Sequence, residues 1–511
     1  MFGALVLYSR LSSAGTYVSA IVVSVPYSRV STNDTLRGES PQPPEAVVLS
    51  TFCGSSAIIR SQSQILNILL LIFHELWWYL YVVANSRALL AHLSRRAGFG
   101  ATPAELDVAE RDGWDATIRR LVKGLHETDA GLSQVLPPQF LPFASEVGAG
   151  AASAKTAEFL ALTNWWLDLM LSTPTPFREK LVLFLHEQFP TAYSKVNYPS
   201  LLYRQNAIFR DMGHGPFDTL TIAISKDPAM LIWLDAGTDL VAHPNENFAR
   251  ELMERFALGI GHYTESDVKQ LARCFTGWAL NYQTGLFTYS VAEHDFGVKT
   301  FLGHSGAFTG EQAIEIVTKE TASAHWIVSR FWSWLAFPVG PNHPVVANLA
   351  PLYAKNRHFG SLLESILKHP EFVSTQSTTG LVKQPVEYTV GTLRALQLTT
   401  ASFPSGYVMN LLIKLGQQLF NPPTVGGWGA NGFWLSTAAS LTRLDFAQTA
   451  ASLGNLSRIE DEAPRARIDA LANMLGIEKW TKHTTTVLHA AKDNPVMLTS
   501  LGLVAPEYVM N

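Results

Sequence analysis

The sequence predicts an all-α protein, mainly helical with at most a few short strands, built as one large multi-helix domain. Three observations predict it. Apolar side chains recur at the helical period from about Arg87 onward. Start and stop residues bracket these stretches, such as Thr102-Pro103 with Glu105 behind at one helix start, and Gly259 and Gly261 at one helix end. No fixed-period repeat of the solenoid type divides the chain into an array.

The elements follow in order. Residues 1–64 are rich in Ser, Val and Pro, with few charges and weak periodicity. Ile65 to Ala84 is a nearly continuous apolar run, of the length of a ~20-residue membrane span. His74 and Glu75 fall at its centre, where a charge costs at least ~2.5 kcal/mol. The run is too far in for a simple signal peptide, and no twin-arginine motif precedes it. Two readings of this stretch stand level: a disordered extension, or a translated leader ahead of a real start near Arg87. A true span stands behind both. The division is therefore 1–85 as an N-terminal extension and 86–511 as the helical domain. Compartment follows the same fork: cytoplasmic if the extension is an artefact, otherwise membrane-associated or exported. Membrane association would run only through 65–84.

Thr102-Pro103-Ala104-Glu105 opens a helix with an N-cap, a proline at the first position and an acid behind. Pro137 to Gly150 reads as a loop. Thr156–Leu171, Phe177–Phe189, a stretch from Gly310, Ser323–Leu335, Gly360–Lys368, Val386–Leu396 and Gly416–Leu419 continue the helical series before the loop Asn421–Gly429. Short strands are expected near Leu286–Tyr289 and Thr300–Leu302.

The segment from Pro244 to Trp278 is the most informative. Asn245 is a good N-cap. Ala249, Leu252, Met253 and Phe256 form one apolar face at i, i+3, i+4 and i+7. Glu246, Arg250 and Glu254, and likewise Glu251 and Arg255, stand at ion-pair spacing, worth roughly 0.2–0.5 kcal/mol per pair on an exposed helix. Gly259 and Gly261 supply the left-handed stop. Thr264 with Asp267 looks like a capping box for a second helix whose apolar face is Val268, Leu271, Ala272 and Phe275. The result is a helical hairpin.

Composition bounds the function classes. The chain has 511 residues, is 47% hydrophobic and 16% charged, and carries a net charge of −4. Nothing is strongly basic, so nucleic acid is not an expected partner. Cys53 and Cys274 cannot make a disulfide framework or a cysteine zinc site alone, and Cys274 reads as a packed thiol. There is no HExxH, GxSxG, P-loop or helix-opening GxGxxG. Trp165, Trp166, Trp332 and Trp334 fall at helical spacings and read as core.

Several of these segments carry a family resemblance. Pro244-Asn-Glu-Asn-Phe-Ala-Arg-Glu-Leu-Met-Glu-Arg-Phe-Ala-Leu-Gly259 resembles the PNENFARELMELFTLG-like signature of the large bacterial family catalogued as DUF1800. Phe184-Leu-His-Glu-Gln-Phe189 is similar to its FWHNHF-like segment, with Leu185 at the tryptophan position and Gln188 at the second histidine. His294-Asp295-Phe-Gly-Val-Lys-Thr-Phe-Leu-Gly303 resembles HDxGxKTFLG. Pro422-Pro423-Thr-Val-Gly-Gly-Trp428-Gly with Trp434 resembles PPNVKGWPGG…W, with Gly426 and Gly427 where the family often has a lysine. The resemblance begins near Arg87 and runs to about Ala447 in the same motif order. It implies no settled activity. Family members often have secretion signals and often accompany another uncharacterised protein family.

Four polar islands interrupt the apolar helical body. His186 is either a functional side chain or a hydrogen-bonded core histidine, and Gln188 is a poor transition-metal ligand. Two asparagines flanking Glu246 are more polar than a cap requires. His294 and Asp295 either ligate a metal or act as an acid–base pair, or bond their own backbone. The Gly/Pro loop with Trp428 either lines a groove or forms a rigid buried connection.

Two functions from different classes follow. The first is an enzyme with a polar His/Glu/Asp pocket, a metal-assisted hydrolase. Its catalytic residues would be His186, Glu246, Arg250 and Glu251, and a divalent metal would be held by His186, Glu246, His294 and Asp295. The second is a non-catalytic helical scaffold that binds a partner protein or polymer, in which the same residues are caps and buried networks. The discriminating expectation is spatial: in the first reading the segments around His186, Glu246 and His294 share one pocket.

Overall fold

The computed structural model describes residues 8–12, 15–19, 86–143 and 151–510. The chain forms two compact units, Met1–Trp77 and Trp78–Asn511. In the first, β1 (Tyr8–Ser12) pairs antiparallel with β2 (Gly15–Ser19), Tyr8 opposite Ser19 and Ser12 opposite Gly15. Cys53 and the apolar run Ile65–Ala84 lie outside the described residues. Among the described residues no helix is long and apolar enough to cross a membrane.

The fold is mainly helical, at 63% helix, far above the roughly one third of an average globular protein. The second unit opens with α1 (Arg87–Arg96), α2 (Pro103–Asp112) and α3 (Trp114–Gly124). The cap expected at Thr102 is complete: its hydroxyl accepts from Glu105 N, and the Glu105 carboxylate accepts from Thr102 N. Then come α4 (Ala152–Ser172), α5 (Pro176–Gln188), α6 (Pro199–Met212), α7 (Phe217–Ser225) and α8 (Pro228–Trp233). The loop expected over 137–150 is described as far as residue 143.

α5 is the central rod. Every residue from Phe177 to His186 is buried, as is Gln188, because α3, α4 and α6 all pack against it. Its charges are therefore paired inside. Arg210 of α6 grips Glu179 with two bonds of 2.6 and 2.8 Å, and Trp166 Nε1 donates to the same carboxylate at 2.8 Å. Lys180 pairs with Glu387. Breaking one partner of a buried pair costs about 3–5 kcal/mol, because it leaves an uncompensated charge.

The expected helical hairpin follows. α9 (Glu246–Glu251) continues as a π-helical stretch, Leu252–Ala257, and α10 (Glu265–Phe275) returns. Ala249, Leu252, Met253 and Phe256 face inward, each nearly fully buried. Gly259 and Gly261 take φ of +81° and +90°, and Thr264 and Asp267 make the full capping box. The π stretch was not expected. It departs from the regular period without disturbing the inward face, so the apolar pattern does not betray it.

Two small hairpins come next, β3 (Trp278–Asn281) with β4 (Leu286–Tyr289) and β5 (Lys299–Phe301) with β6 (His304–Gly306). They hold both expected strands. The chain closes with α11 (Gly310–Lys319), α12 (Thr321–Leu335), α13 (Pro344–Tyr353), α14 (Phe359–Leu367), α15 (Pro385–Ala395), α16 (Tyr407–Leu415), α17 (Thr437–Leu453), α18 (Arg467–Leu475), α19 (Lys482–Ala491) and α20 (Pro495–Val504). The helix expected over Gly416–Leu419 is a correction. Gly416 sits at φ +87° as the left-handed cap that ends α16, so the helix lies before it. Trp165, Trp166, Trp332 and Trp334 are all in the core, and Cys274 is a buried thiol whose pKa burial raises to about 12.

Candidate functional site

The last turn of α5 meets the end of the π stretch, α12 and the loop 421–428. A π stretch leaves its last carbonyls without helical donors. Gln188 fills that need: its amide donates to Arg255 O at 3.3 Å and Phe256 O at 3.0 Å. Its carbonyl accepts from Arg330 Nε at 3.0 Å. This orientation of the amide follows from its partners, two acceptors on one side and a guanidinium on the other. Trp326 Nε1 adds a third bond, to Arg255 O at 3.0 Å. The glutamine at the second-histidine position therefore has a structural task that imidazole cannot reproduce.

Glu187 is the chemically distinctive member. Its side chain is only 12% exposed, with one guanidinium nitrogen of Arg330 at 3.9 Å. Burial raises its pKa to about 7, against the opposing pull of Arg330, while Glu387 pushes it further up and a hydrogen bond from Gln384 pulls it down. The loop covers it closely. Gly427 has φ +79°, and a Cβ there would stand 2.9 Å from Glu187 Cγ. Trp428 of this loop and Trp434 of the helical turn after it are buried, while Pro423, Thr424 and Gly426 are exposed, so both tryptophans pack inward and do not line a groove.

His186, one residue earlier, points elsewhere. Its ring lies among Trp166, Phe420 and Trp428 at 5.9, 5.5 and 5.2 Å. Its Nε2 is buried without a hydrogen-bond partner, and burial drives its pKa down to about 3. It is a neutral imidazole in an aromatic box.

The Glu246 island sits at the opposite end of the helix. Asn245 accepts from Asn247 N and Phe248 N at 2.9 and 3.2 Å. Both asparagines donate to Leu234 O, at 3.1 and 3.2 Å, which accounts for polarity beyond a cap. Glu246 is 45% exposed, with Arg250 at 4.0 Å. Arg250 is instead clamped by Glu265 across the turn, at 2.6 and 2.7 Å. Glu254 accepts from Tyr263 at 2.8 Å and has Arg255 beside it at 3.3 Å. The Glu251–Arg255 and Arg250–Glu254 pairs expected from spacing do not form: Glu265 takes Arg250 across the turn, and Arg255 pairs with its neighbour Glu254. Glu251 is half-buried with one carboxylate oxygen unpartnered, and burial raises its pKa.

The third island is tied to the end of α10. His294 Nδ1 lies 2.8 Å from Thr276 O. Asp295 accepts from Arg273 Nε at 2.7 Å and from Gly297 N at 2.7 Å, and the Arg273 bond holds its pKa low. Lys299 donates to Asp295 O and to Phe308 O.

The expected single pocket is thus resolved into separate places. No hydrogen bond, ion pair or ring contact among the described residues joins His186 to Glu246 or to His294. Nine residues of helix separate Glu246 from the carbonyl that Gln188 caps, about 13 Å of rise. Among the described residues no three His, Cys, Asp or Glu side chains are grouped to hold a metal ion. The four-ligand set of His186, Glu246, His294 and Asp295 is not assembled: one is walled by aromatics, one faces solvent, and two are bonded to Thr276 and Arg273 at the end of α10.

Sequence reasoning passed over Glu187, Arg330 and Gln384. A signal was present for two of them. Glu187 lies next to His186 in an apolar helical end, and Arg330 is the lone Lys, Arg, Asp or Glu of α12. A solitary charge in a buried helix needs a partner.

Compared with known proteins, the chain matches over residues 92–510 the family model described as protein of unknown function (DUF1800). The match runs beyond Ala447, through the C-terminal helices. No curated protein and no solved structure matches the chain.

Proposed function

The chain belongs to the DUF1800 family, and from that premise we propose that it is a hydrolase whose acid–base group is Glu187. One observation carries the reading: a partly exposed carboxyl with a pKa of about 7 beside a guanidinium. A general acid–base works best when its pKa lies near the working pH. Perturbed carboxyls collect at functional sites, although structural networks perturb them too.

The chemistry would run as follows. The Glu187 carboxylate accepts a proton from water as its oxygen attacks the substrate. Arg330 stabilises the negative charge that develops on the substrate oxygen. Protonated Glu187 then returns the proton to the leaving group. Gln188 positions Arg330 through its carbonyl, and Gly427 permits the loop to close over Glu187.

The scaffold reading has support in the exposed apolar side chains of the β3–β4 hairpin and the turn after it, among them Tyr282, Val291, Phe296 and Val298. The Glu187 cluster tips the balance. A partly desolvated carboxyl costs stability and adds no contact surface, and such costs are expected where function demands them. The test is a broad hydrolase screen of the full chain followed by Glu187→Gln. Loss of turnover without any loss of melting temperature supports the reading. Turnover that survives Glu187→Gln, or a screen with no turnover on any ester, amide or glycoside, overturns it.

A further inference from the structure

A second polar site lies away from Glu187, where α1, α15 and the chain's C-terminal segment meet. Two backbone links assemble it: Lys383 N donates to Val509 O at 2.9 Å, and Val382 bridges to Met510. They set Tyr508 beneath Lys383, whose ammonium lies 3.3 Å from the ring centroid. The cavity here is lined by Arg95, Lys383, Arg394 and Tyr508, with Thr102 and Gly476 at its sides. Space for the centre of a water-sized sphere is about 20 Å³, and roughly 10–15 Å³ is enough for one water. The half-buried Gly100, Ala101 and Thr102 belong to the lining, so the cavity reaches the surface.

The donors around it outnumber the acceptors. Lys383 is 5% exposed, and among the described residues its ammonium has no hydrogen-bond acceptor and no carboxylate partner. Arg95 spends one guanidinium nitrogen on Gly476 O at 2.8 Å, and its Nε is buried without an acceptor. Arg394 bonds Glu105 at 2.8 and 3.0 Å, yet its Nε is also buried and unmatched. The two nearby carboxylates are committed: Glu105 also accepts from Thr102 N, and Glu387 holds Lys180 and Gln384 N. Burial, helped by the like charges of Arg95, Lys180 and Arg96 and opposed by Glu387, holds the Lys383 pKa well below the usual lysine range.

Two buried guanidinium nitrogens, Arg95 Nε and Arg394 Nε, have no acceptor, and beside them the Lys383 amine has the Tyr508 ring but no hydrogen-bond acceptor; buried donors of this kind call for an acceptor. We propose that this cavity binds an oxyanion, a phosphate or sulfate group, with Lys383 and Arg95 as its principal ligands. Charge-assisted N–H···O bonds to such a group would satisfy all three donors. The oxyanion would enter from the side of Gly100, Ala101 and Thr102, with any organic remainder left at that mouth.

The test is calorimetric titration of the full chain with inorganic phosphate, with glycerol phosphate and with chloride at matched ionic strength. The expected result is saturable one-site binding of phosphate, none of chloride, and at least about tenfold weaker binding after Lys383→Met, the loss of one charge-assisted bond pair. Equal or tighter binding of glycerol phosphate assigns a phosphomonoester, and binding of inorganic phosphate alone assigns the free ion. If Lys383→Met does not fold, Arg95→Gln takes its place. No saturable binding by the wild-type chain, or binding unchanged in the variant, overturns the proposal and leaves Lys383 as a neutral buried amine.

Discussion

Gly427 and Glu187 stand so close that a Cβ on the glycine would lie 2.9 Å from Glu187 Cγ and 3.0 Å from Glu187 O. The position also has φ +79°, where an L side chain is strained. Both terms oppose any substitution. Gly427→Ala is expected to cost about 1–3 kcal/mol from backbone strain alone, and to displace the loop from Glu187. The measurement is the denaturation midpoint of the variant. A midpoint within error of wild type would show that the loop yields freely.

The raised carboxyl makes a pH prediction. Glu187, Asp227 and Asp239 each have a pKa raised to about 7, chiefly by burial. An acid whose native pKa exceeds its unfolded value keeps its proton in the fold after the unfolded chain has lost it. Its contribution is whole below about pH 4, falls as pH rises, and is gone above about pH 7. His186, with its pKa lowered to about 3, runs the opposite way, losing stability as pH falls below about 6.5. Comparison of Glu187→Gln with wild type cancels the other groups. The glutamine variant should gain on wild type by about 1–3 kcal/mol between pH 5 and pH 8. A difference that stays flat over this range would place the Glu187 pKa at its ordinary value.

Gln188 tests whether this site could hold a metal as built. Gln188→His restores the histidine spacing of the related motif, but imidazole cannot cap two carbonyls and accept from Arg330 at once. The variant should lose about 1–3 kcal/mol, the cost of leaving buried polar groups unmatched. Elemental analysis should show metal content no higher than wild type, because His186 is enclosed by aromatic rings. Stoichiometric zinc in the purified variant would contradict this account of the site.

What was legible in the sequence was local. Thr264 and Asp267 are three residues apart, and their capping box needs no other part of the chain. The inward face of Ala249, Leu252, Met253 and Phe256 is equally local, and so is the stop at Gly259. The Glu187 cluster is not. Gln188 and Arg330 are 142 residues apart, and Gly427 comes from a third segment. Nothing in one sequence states that these three meet. Gln188 read as a departure from a metal motif, whereas its amide serves the π stretch, which the apolar pattern conceals. Arg250 shows the same limit on a smaller scale. Spacing favours Glu246 or Glu254, yet the turn delivers Glu265, and two short bonds decide the pairing.

Glu246 separates the two ends of this helix by experiment. It is 45% exposed and 4.0 Å from Arg250, whose main partner is Glu265. Removing its charge loses a dipole interaction and a weak ion pair, together about 1 kcal/mol or less. The Asn245 cap and both bonds to Leu234 O remain, so the helix start should hold. Glu246→Gln is therefore expected to melt within a few degrees of wild type and to keep the turnover that Glu187→Gln removes. Paired melting and turnover measurements on the two variants check this. If Glu246→Gln also abolished turnover without loss of stability, the reacting centre would have to extend to the start of the helix, and Glu187 could not be its sole acid–base group.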